Sequence, residues 1–177
     1  MIIGKKACLC AVEREDLKEL LDWRNRPDFR QYFREYRELN ISQQEVWFTN
    51  KVMNDPNTLM FAIRDSQNKQ LLGCCGLVYI NWISRHADLS LYVGFENAYI
   101  DDKGLAEEAC HLLIKYAFYE LGLNKIWTEI YDFDTKKQNL YKKLDFHQDA
   151  ILREHYFYKE QWHDSFILSL LAKDYDK

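Results

Sequence analysis

The sequence predicts a mixed α/β (α+β) domain: a mostly antiparallel central sheet with flanking helices, built from the whole chain, residues 1–177. Three observations predict it. Short runs of alternating or continuous apolar residues recur along the chain, separated by stretches in which apolar residues return every three or four positions. Their order, β-α-α-β-β-β-α-β-α-β-β, has no repeat and no interior boundary, which implies a layered sheet-and-helix architecture. Hydrophobic residues make up 47% and aromatics 15%, with six glycines and two prolines, so a single core fits and long linkers do not.

The elements follow in order. Residues 6–12, KACLCAV, read as a short apolar strand, after which Glu13, Asp16, Leu17, Leu20, Leu21 and Trp23 fall at amphipathic helix spacing. Residues 24–40, RNRPDFRQYFREYRELN, mix arginines and aromatics around Pro27. Ser42, with Glu45 three positions later, is the expected cap of a second helix that runs to about Met53. NDPN at 54–57 is turn chemistry, LMFAIR at 59–64 a strand, DSQNK at 65–69 a hairpin turn, and 70–81 the next strand. In ADLSLYVG at 87–94, Leu89, Leu91 and Val93 alternate with Asp88, Ser90 and Tyr92, which predicts a central strand with one polar face. From Gly104 to Leu121 the apolar residues repeat at helical spacing, and Gly122 supplies the stop. KIWTEIY at 125–131 reads as a strand, 135–144 as a short helix, and 146–158 and 165–171 as closing strands.

Composition narrows the function. A net charge of -4 and a pI near 5.8 speak against non-specific nucleic-acid binding. No apolar run approaches the ~18 residues of a membrane span. Cys8, Cys10, Cys74, Cys75 and Cys110 are odd in number and form no CxxC pair, which reads as reduced thiols in a cytoplasmic protein. A metal site using Cys74 or Cys75 is conceivable, but free thiols buried in strands are commoner, so no metal is expected.

Two stretches carry chemistry. DDKGLAEEA at 101–109 is a Gly-containing loop opening a helix, where unpaired N–H groups and the helix dipole make an anion site. Gly104 permits close backbone approach, Ala106 keeps the first turn clear, and Lys103 adds a cation, whereas Asp101 and Asp102 oppose an anion. The same residues also read as an ordinary helix start, with Glu107 and Glu108 complementing the dipole. The second stretch is EIYDFDTKKQNLYKKLDF at 129–146. Its parts suit acyl transfer: an amine that is protonated at neutral pH needs a base such as Glu129, and a departing thiolate can take a proton from a phenol such as Tyr141. Tyr141 as a packed aromatic and Glu129 as a solvated strand residue are the plainer readings.

In order and spacing these segments resemble the GNAT superfamily of N-acetyltransferases, particularly its ribosomal-protein N-acetyltransferase-like branch, over nearly the whole chain. The family's loop Q/R-x-x-G-x-G/A falls on Asp101–Ala106, matching at Gly104 and Ala106 with Asp101 in place of the long polar residue. The later motif N-x-x-A-x-x-L-Y-x-K-x-G-F falls on Asp134–Phe146, matching Leu140, Tyr141, Lys143 and Phe146, with Asp134 for Asn, Lys137 for Ala and Asp145 for Gly. The resemblance implies that the strands at 87–94 and 125–131 splay apart and receive acetyl-CoA as co-substrate. It implies that Leu91, Tyr92 and Val93 pair with the pantetheine arm, that an N–H near Tyr92 or Val93 polarises the thioester, and that Lys103, Gly104, Leu105, Ala106 and Asp134 bind the rest of the cofactor. Tyr141 is then the acid and Glu129 the base, with Asp88 a second base candidate and no covalent enzyme intermediate.

The acceptor is less defined. Arg24, Arg26, Arg30, Arg34 and Arg37 interleave with Phe29, Tyr32, Phe33 and Tyr36 where this fold places its acceptor. Arg24, Arg30 and Tyr32 are the candidate substrate contacts. Such a cluster suits clamping phosphates and stacking a base, as in an amino sugar carried on a nucleotide, or else a salt-bridged surface using Asp22, Asp28, Glu35 and Glu38. The expected acceptor is therefore a primary amine, on a small molecule or a protein N-terminus, with a homodimer possible. A non-catalytic acyl-CoA-binding module is the competing reading.

Overall fold

Eight strands form one sheet in the computed structural model, which describes residues 1–175. The strands are β1 (Ile2–Ile3), β2 (Ala7–Ala11), β3 (Leu59–Asp65), β4 (Leu71–Asn81), β5 (His86–Val93), β6 (Lys125–Tyr131), β7 (His147–Tyr158) and β8 (Gln161–Leu171). Their order across the sheet is β1-β2-β3-β4-β5-β6-β8-β7. Every neighbouring pair is antiparallel except β5 and β6. That pair is parallel because the chain crosses between them through α4 (Leu105–Lys115), and a parallel step needs a crossover rather than a hairpin.

The remaining α-helices are α1 (Leu17–Asn25), α2 (Pro27–Arg30), α3 (Ile41–Trp47), α5 (Thr135–Lys143) and α6 (Ala172–Tyr175), and wider π-helical turns extend α3 through Phe48–Met53 and α4 through Tyr116–Glu120. α1 lies over the β5 face that carries Asp88, Ser90 and Tyr92: the Tyr92 hydroxyl donates to the Leu20 carbonyl at 3.4 Å. Leu89, Leu91 and Val93 alternate onto the other face and are buried. Around them Ile63, Leu77, Leu113, Ile126 and Leu170 are fully buried, and Leu20 is fully buried on the α1 side. α4 packs on β2, β4 and β5. Its Glu108 fixes the N-terminal edge by accepting from the backbone N–H groups of Lys5, Lys6 and Ala7 at 2.7, 2.8 and 2.9 Å.

Some boundaries differ from the sequence expectation. The cap of α3 is Asn40, not Ser42: the Asn40 side chain accepts from the Gln43 N–H at 2.9 Å and the Gln43 side chain accepts from the Asn40 N–H at 2.9 Å. Two overlapping cap signals stand two residues apart, and the earlier one wins. The closing strand starts at Gln161 rather than at 165, because Lys159 and Glu160 take positive φ values of 47° and 63° and turn a tight hairpin. Asp145, which stands where the resembling motif has glycine, holds φ at +59° just after α5. The motif's glycine is thus a helix stop, and aspartate serves there at a strain of about 1 kcal/mol.

Candidate active site

The parallel pairing of β5 with β6 is short. His86, Ala87 and Asp88 register with Lys125, Ile126 and Trp127, and beyond them the strands diverge. The split opens at Thr128, whose hydroxyl donates to the Leu89 carbonyl at 3.2 Å. Gly94 N–H donates to the Leu72 carbonyl of the β4 side at 2.8 Å, which sets the phase of the strand. By alternation the backbone groups of Leu89, Leu91 and Val93 face the fork and those of Tyr92 face β4. This corrects the expected donor. Tyr92 N–H is turned away, and Val93 N–H already donates to the Tyr99 carbonyl at 3.0 Å. Leu91 N–H is the group of this trio turned to the fork without that commitment.

A carboxylate pair stands at the same place. Asp88 is 2% exposed and accepts from Arg34 Nη1 at 2.7 Å. Glu129, one step along β6 from the fork's root, approaches Arg34 Nε at 3.4 Å and His155 at 3.9 Å. The Arg34 guanidinium lies 5.8 Å from the centre of the Trp127 ring. Burial pushes the Asp88 carboxyl up to about 6, even with Arg34 beside it. A carboxylate so placed is matched to taking a proton near neutral pH.

Asp134 caps α5, its side chain accepting from Lys137 N–H at 3.1 Å and from the Tyr99 hydroxyl at 3.2 Å. The aspartate thus opens the helix at the position where the motif has asparagine. Tyr141 is fully buried, its ring 5.0 Å from Phe146. The Thr128 hydroxyl is next to it but donates to Leu89, and Tyr141 Oη is left without a well-formed hydrogen bond. Burial raises this phenol well above its ordinary range.

Gly104 precedes α4 with φ +82°, a left-handed conformation that favours glycine, and so turns the first N–H groups outward. Those groups hold an anion that the chain itself provides. The Asp101 carboxylate accepts from Lys103, Leu105 and Ala106 N–H at 2.8, 2.9 and 2.7 Å, in the loop where the family resemblance implies a pyrophosphate. Lys103, expected as the cation of the loop, instead directs its ammonium to Glu96. Lys136, Lys142 and Lys143 of α5 line the 770 Å³ cavity beside this loop together with Gly104 and Glu107. These are the cations that loop-level reading missed. Replacing Asp101 by Asn should tighten CoA binding about 10-fold, because a neutral amide is easier for a phosphate to displace than a carboxylate. The unliganded protein should lose about 1 kcal/mol with the cap. Calorimetry with CoA checks the first effect, and an unchanged dissociation constant would remove this cradle from the cofactor site.

On the α1 side the fork opens into a cavity of 430 Å³ lined by Arg24, Tyr32, Phe33, Arg34, Trp47, Asp88, Glu129 and Lys137, among others. Tyr32 is stacked on Tyr99 at 4.4 Å, and the Arg24 guanidinium lies 5.0 Å over the Phe33 ring. Arg30 is not among the lining residues and faces Glu38 at 3.5 Å. The arginine cluster is thus largely neutralised within itself: Arg26 pairs with Asp28 at 2.8 Å and Arg37 with Glu35 at 2.6 Å. Arg34 is the member that reaches the fork. Among the described residues no group of three His, Cys, Asp or Glu is placed to hold a metal ion.

Comparison with known proteins agrees with this geometry. The family model of the GNAT acetyltransferase domain matches residues 6–147. The chain is 27% identical over 173 residues to a spermidine N(1)-acetyltransferase of Vibrio cholerae, covering 98% of this chain and 97% of that one. The crystal structure of spermidine N-acetyltransferase from V. cholerae in complex with CoA and spermine superposes with a TM-score of 0.88 at 25% identity, over 98% of this chain and 100% of the other. A putative ribosomal N-acetyltransferase of Bacillus subtilis is 26% identical over 106 residues, 60% of this chain and 56% of its own length. The chain belongs to the GNAT acetyltransferase domain family and is an acetyl-CoA-dependent N-acetyltransferase.

Proposed function

We propose that the chain acetylates the primary amine of a small molecule by direct attack on acetyl-CoA held in the fork between β5 and β6. The observation that carries this reading is the end of strand pairing at Asp88 and Trp127, which leaves Leu91 backbone groups free to meet an extended ligand and puts two carboxylates at its inner end. Leu91 N–H polarises the thioester carbonyl, Asp88 or Glu129 accepts the proton of the attacking amine, and Tyr141 returns a proton to sulfur. The fork fits the co-substrate: an unsatisfied phenol is buried at one end and an anion cradle, filled by Asp101, lies at the other.

A small acceptor is supported by the relatives from V. cholerae, which are spermidine N-acetyltransferases. The cavity here is less suited to a polycation, since Glu35 is paired with Arg37, and Asp88 and Glu129 share Arg34. An acceptor with one amine fits better. A nucleotide-linked amino sugar is the second reading, favoured by a 640 Å³ groove that shares Arg24 and Trp47 with the cavity and continues past Arg37 and Asn40. Acetyl-CoA at 100 times its dissociation constant should stabilise the protein by about 2.7 kcal/mol, visible as a raised melting temperature. Thiol release should exceed background with small amines more than with a peptide N-terminus. An unmoved melting temperature removes the fork as the cofactor site, and turnover confined to peptides removes the small acceptor.

A further inference from the structure

Lys137 takes the α5 position at which the resembling motif has alanine, four residues before Tyr141 and therefore on the same helix face. It is 8% exposed and lines the cavity with Asp88, Leu89, Thr128 and Glu129 at the root of the fork. Its Nζ lies 5.2 Å from the centre of the Tyr99 ring. Among the described residues this ammonium has neither a hydrogen bond nor an ion pair, because the nearby carboxylates are committed elsewhere. Asp88 is taken by Arg34, and Asp134 accepts from the backbone of Lys137 itself and from Tyr99.

A buried ammonium that no carboxylate contacts directly is costly even with Asp88 and Asp134 nearby, and alanine would avoid the cost. The missing partner is best sought in a ligand. Lys137 and Tyr141 share one face of α5: the Tyr141 hydroxyl is buried without a hydrogen-bond partner, and Lys137 lines the cavity at the fork, its ammonium meeting only the face of the Tyr99 ring. Negative charge develops there on sulfur. A buried phenol also cannot give up its proton unless a cation stands close to the phenolate.

We propose that Lys137 is a catalytic residue whose ammonium faces the departing sulfur of CoA and holds its negative charge as the C–S bond breaks. The proposal rests on acetyl-CoA occupying the fork. The acceptor nitrogen forms its bond to the acetyl carbon, the C–S electron pair moves to sulfur, and the acceptor's proton passes to the carboxylate base. Tyr141 then delivers its proton to sulfur, and the phenolate is held by the same ammonium until solvent reprotonates it. Asp134, Asp88, Cys110 and Arg34 are the other titratable or charged groups around Lys137, and burial lowers its pKa despite the two aspartates. An anion beside it would keep the proton on.

The test compares CoA with desulfo-CoA on the wild-type protein and on Lys137→Met, Lys137→Ala and Lys137→Arg. Lys137→Met and Lys137→Ala relieve a buried charge but also remove the favourable field it gives Asp88 and Asp134, so the two effects oppose and the proteins should stay folded, which thermal unfolding checks. In the wild type the bound CoA thiol, followed by thiolate absorbance against the desulfo-CoA complex, should titrate below the usual thiol value of about 8.5. In Lys137→Met and Lys137→Ala it should titrate at or above that value, and the preference for CoA over desulfo-CoA at alkaline pH should fall about 10-fold or more. Desulfo-CoA should bind all the proteins alike, kcat should fall about 10²-fold in the neutral variants, and Lys137→Arg should restore part of the low thiol titration. A thiol titration and CoA preference equal in wild type and Lys137→Met would overturn the assignment. Failure of every protein, wild type included, to bind either CoA or desulfo-CoA would instead overturn the placement of the cofactor, and Lys137 with it.

Discussion

Tyr141→Phe is expected to lower kcat by about 10²- to 10⁴-fold while leaving the affinity for acetyl-CoA nearly unchanged. The phenol is fully buried, and its hydroxyl lacks a well-formed hydrogen bond. Such a group contributes nothing to the fold that phenylalanine would not supply, since the ring keeps its contact with Phe146 at 5.0 Å. Removing an unsatisfied buried hydroxyl should leave stability unchanged or raise it by about 1 kcal/mol. Chemistry and packing therefore separate in this one variant. A merely packed aromatic predicts a silent substitution, whereas an acid predicts an enzyme that folds, binds acetyl-CoA and hardly turns over. Thiol release and thermal unfolding measured together distinguish them. Wild-type turnover across the pH range would mean that solvent protonates the sulfur.

The parts of the site legible in the sequence are those set by local periodicity. Alternation along 87–94 marked a central strand, and Gly104 and Gly122 bracketed the helix between them, because left-handed backbone at both ends favours glycine. The splay of β5 from β6 came only from the family resemblance, since nothing local in Leu89–Val93 says that its neighbour departs. Long-range pairing was invisible. Arg34 reaches Asp88 across 54 positions, so a residue lost in an arginine-rich stretch proves to be the one at the fork. The departures from the motif were visible as letters but not as physics. Asp101 stands as the anion in its own cradle, Asp134 still caps its helix, and Lys137 is buried rather than solvated as a lysine in a KK run would ordinarily be.

The base can be assigned by pH, and Asp88→Asn is the second variant expected to have a large effect. Burial raises the Asp88 carboxyl from 3.8 to about 6, with Arg34 at 2.7 Å opposing the shift. A folded pKa above the unfolded one means that protonation favours the fold. Below about pH 4 the group costs nothing, and as pH rises through 6 its ionisation comes to cost about 3 kcal/mol. Activity has the opposite slope, because only the ionised carboxylate accepts the amine's proton. The wild-type kcat/KM should therefore rise with an apparent pKa near 6 and level off above it, while stability declines over the same range. Because Asp88 and Glu129 share Arg34, that apparent value belongs to the pair. Asp88→Asn should lower kcat/KM by about 10²- to 10⁴-fold and abolish the acid limb. Stability at neutral pH should hold, since the lost contact to Arg34 is offset by relief of a buried charge and Glu129 remains 3.4 Å from the guanidinium. Glu129→Gln is the matched control. A limb that survives in Asp88→Asn and vanishes in Glu129→Gln would make Glu129 the base and leave Asp88 the task of holding Arg34 against the fork.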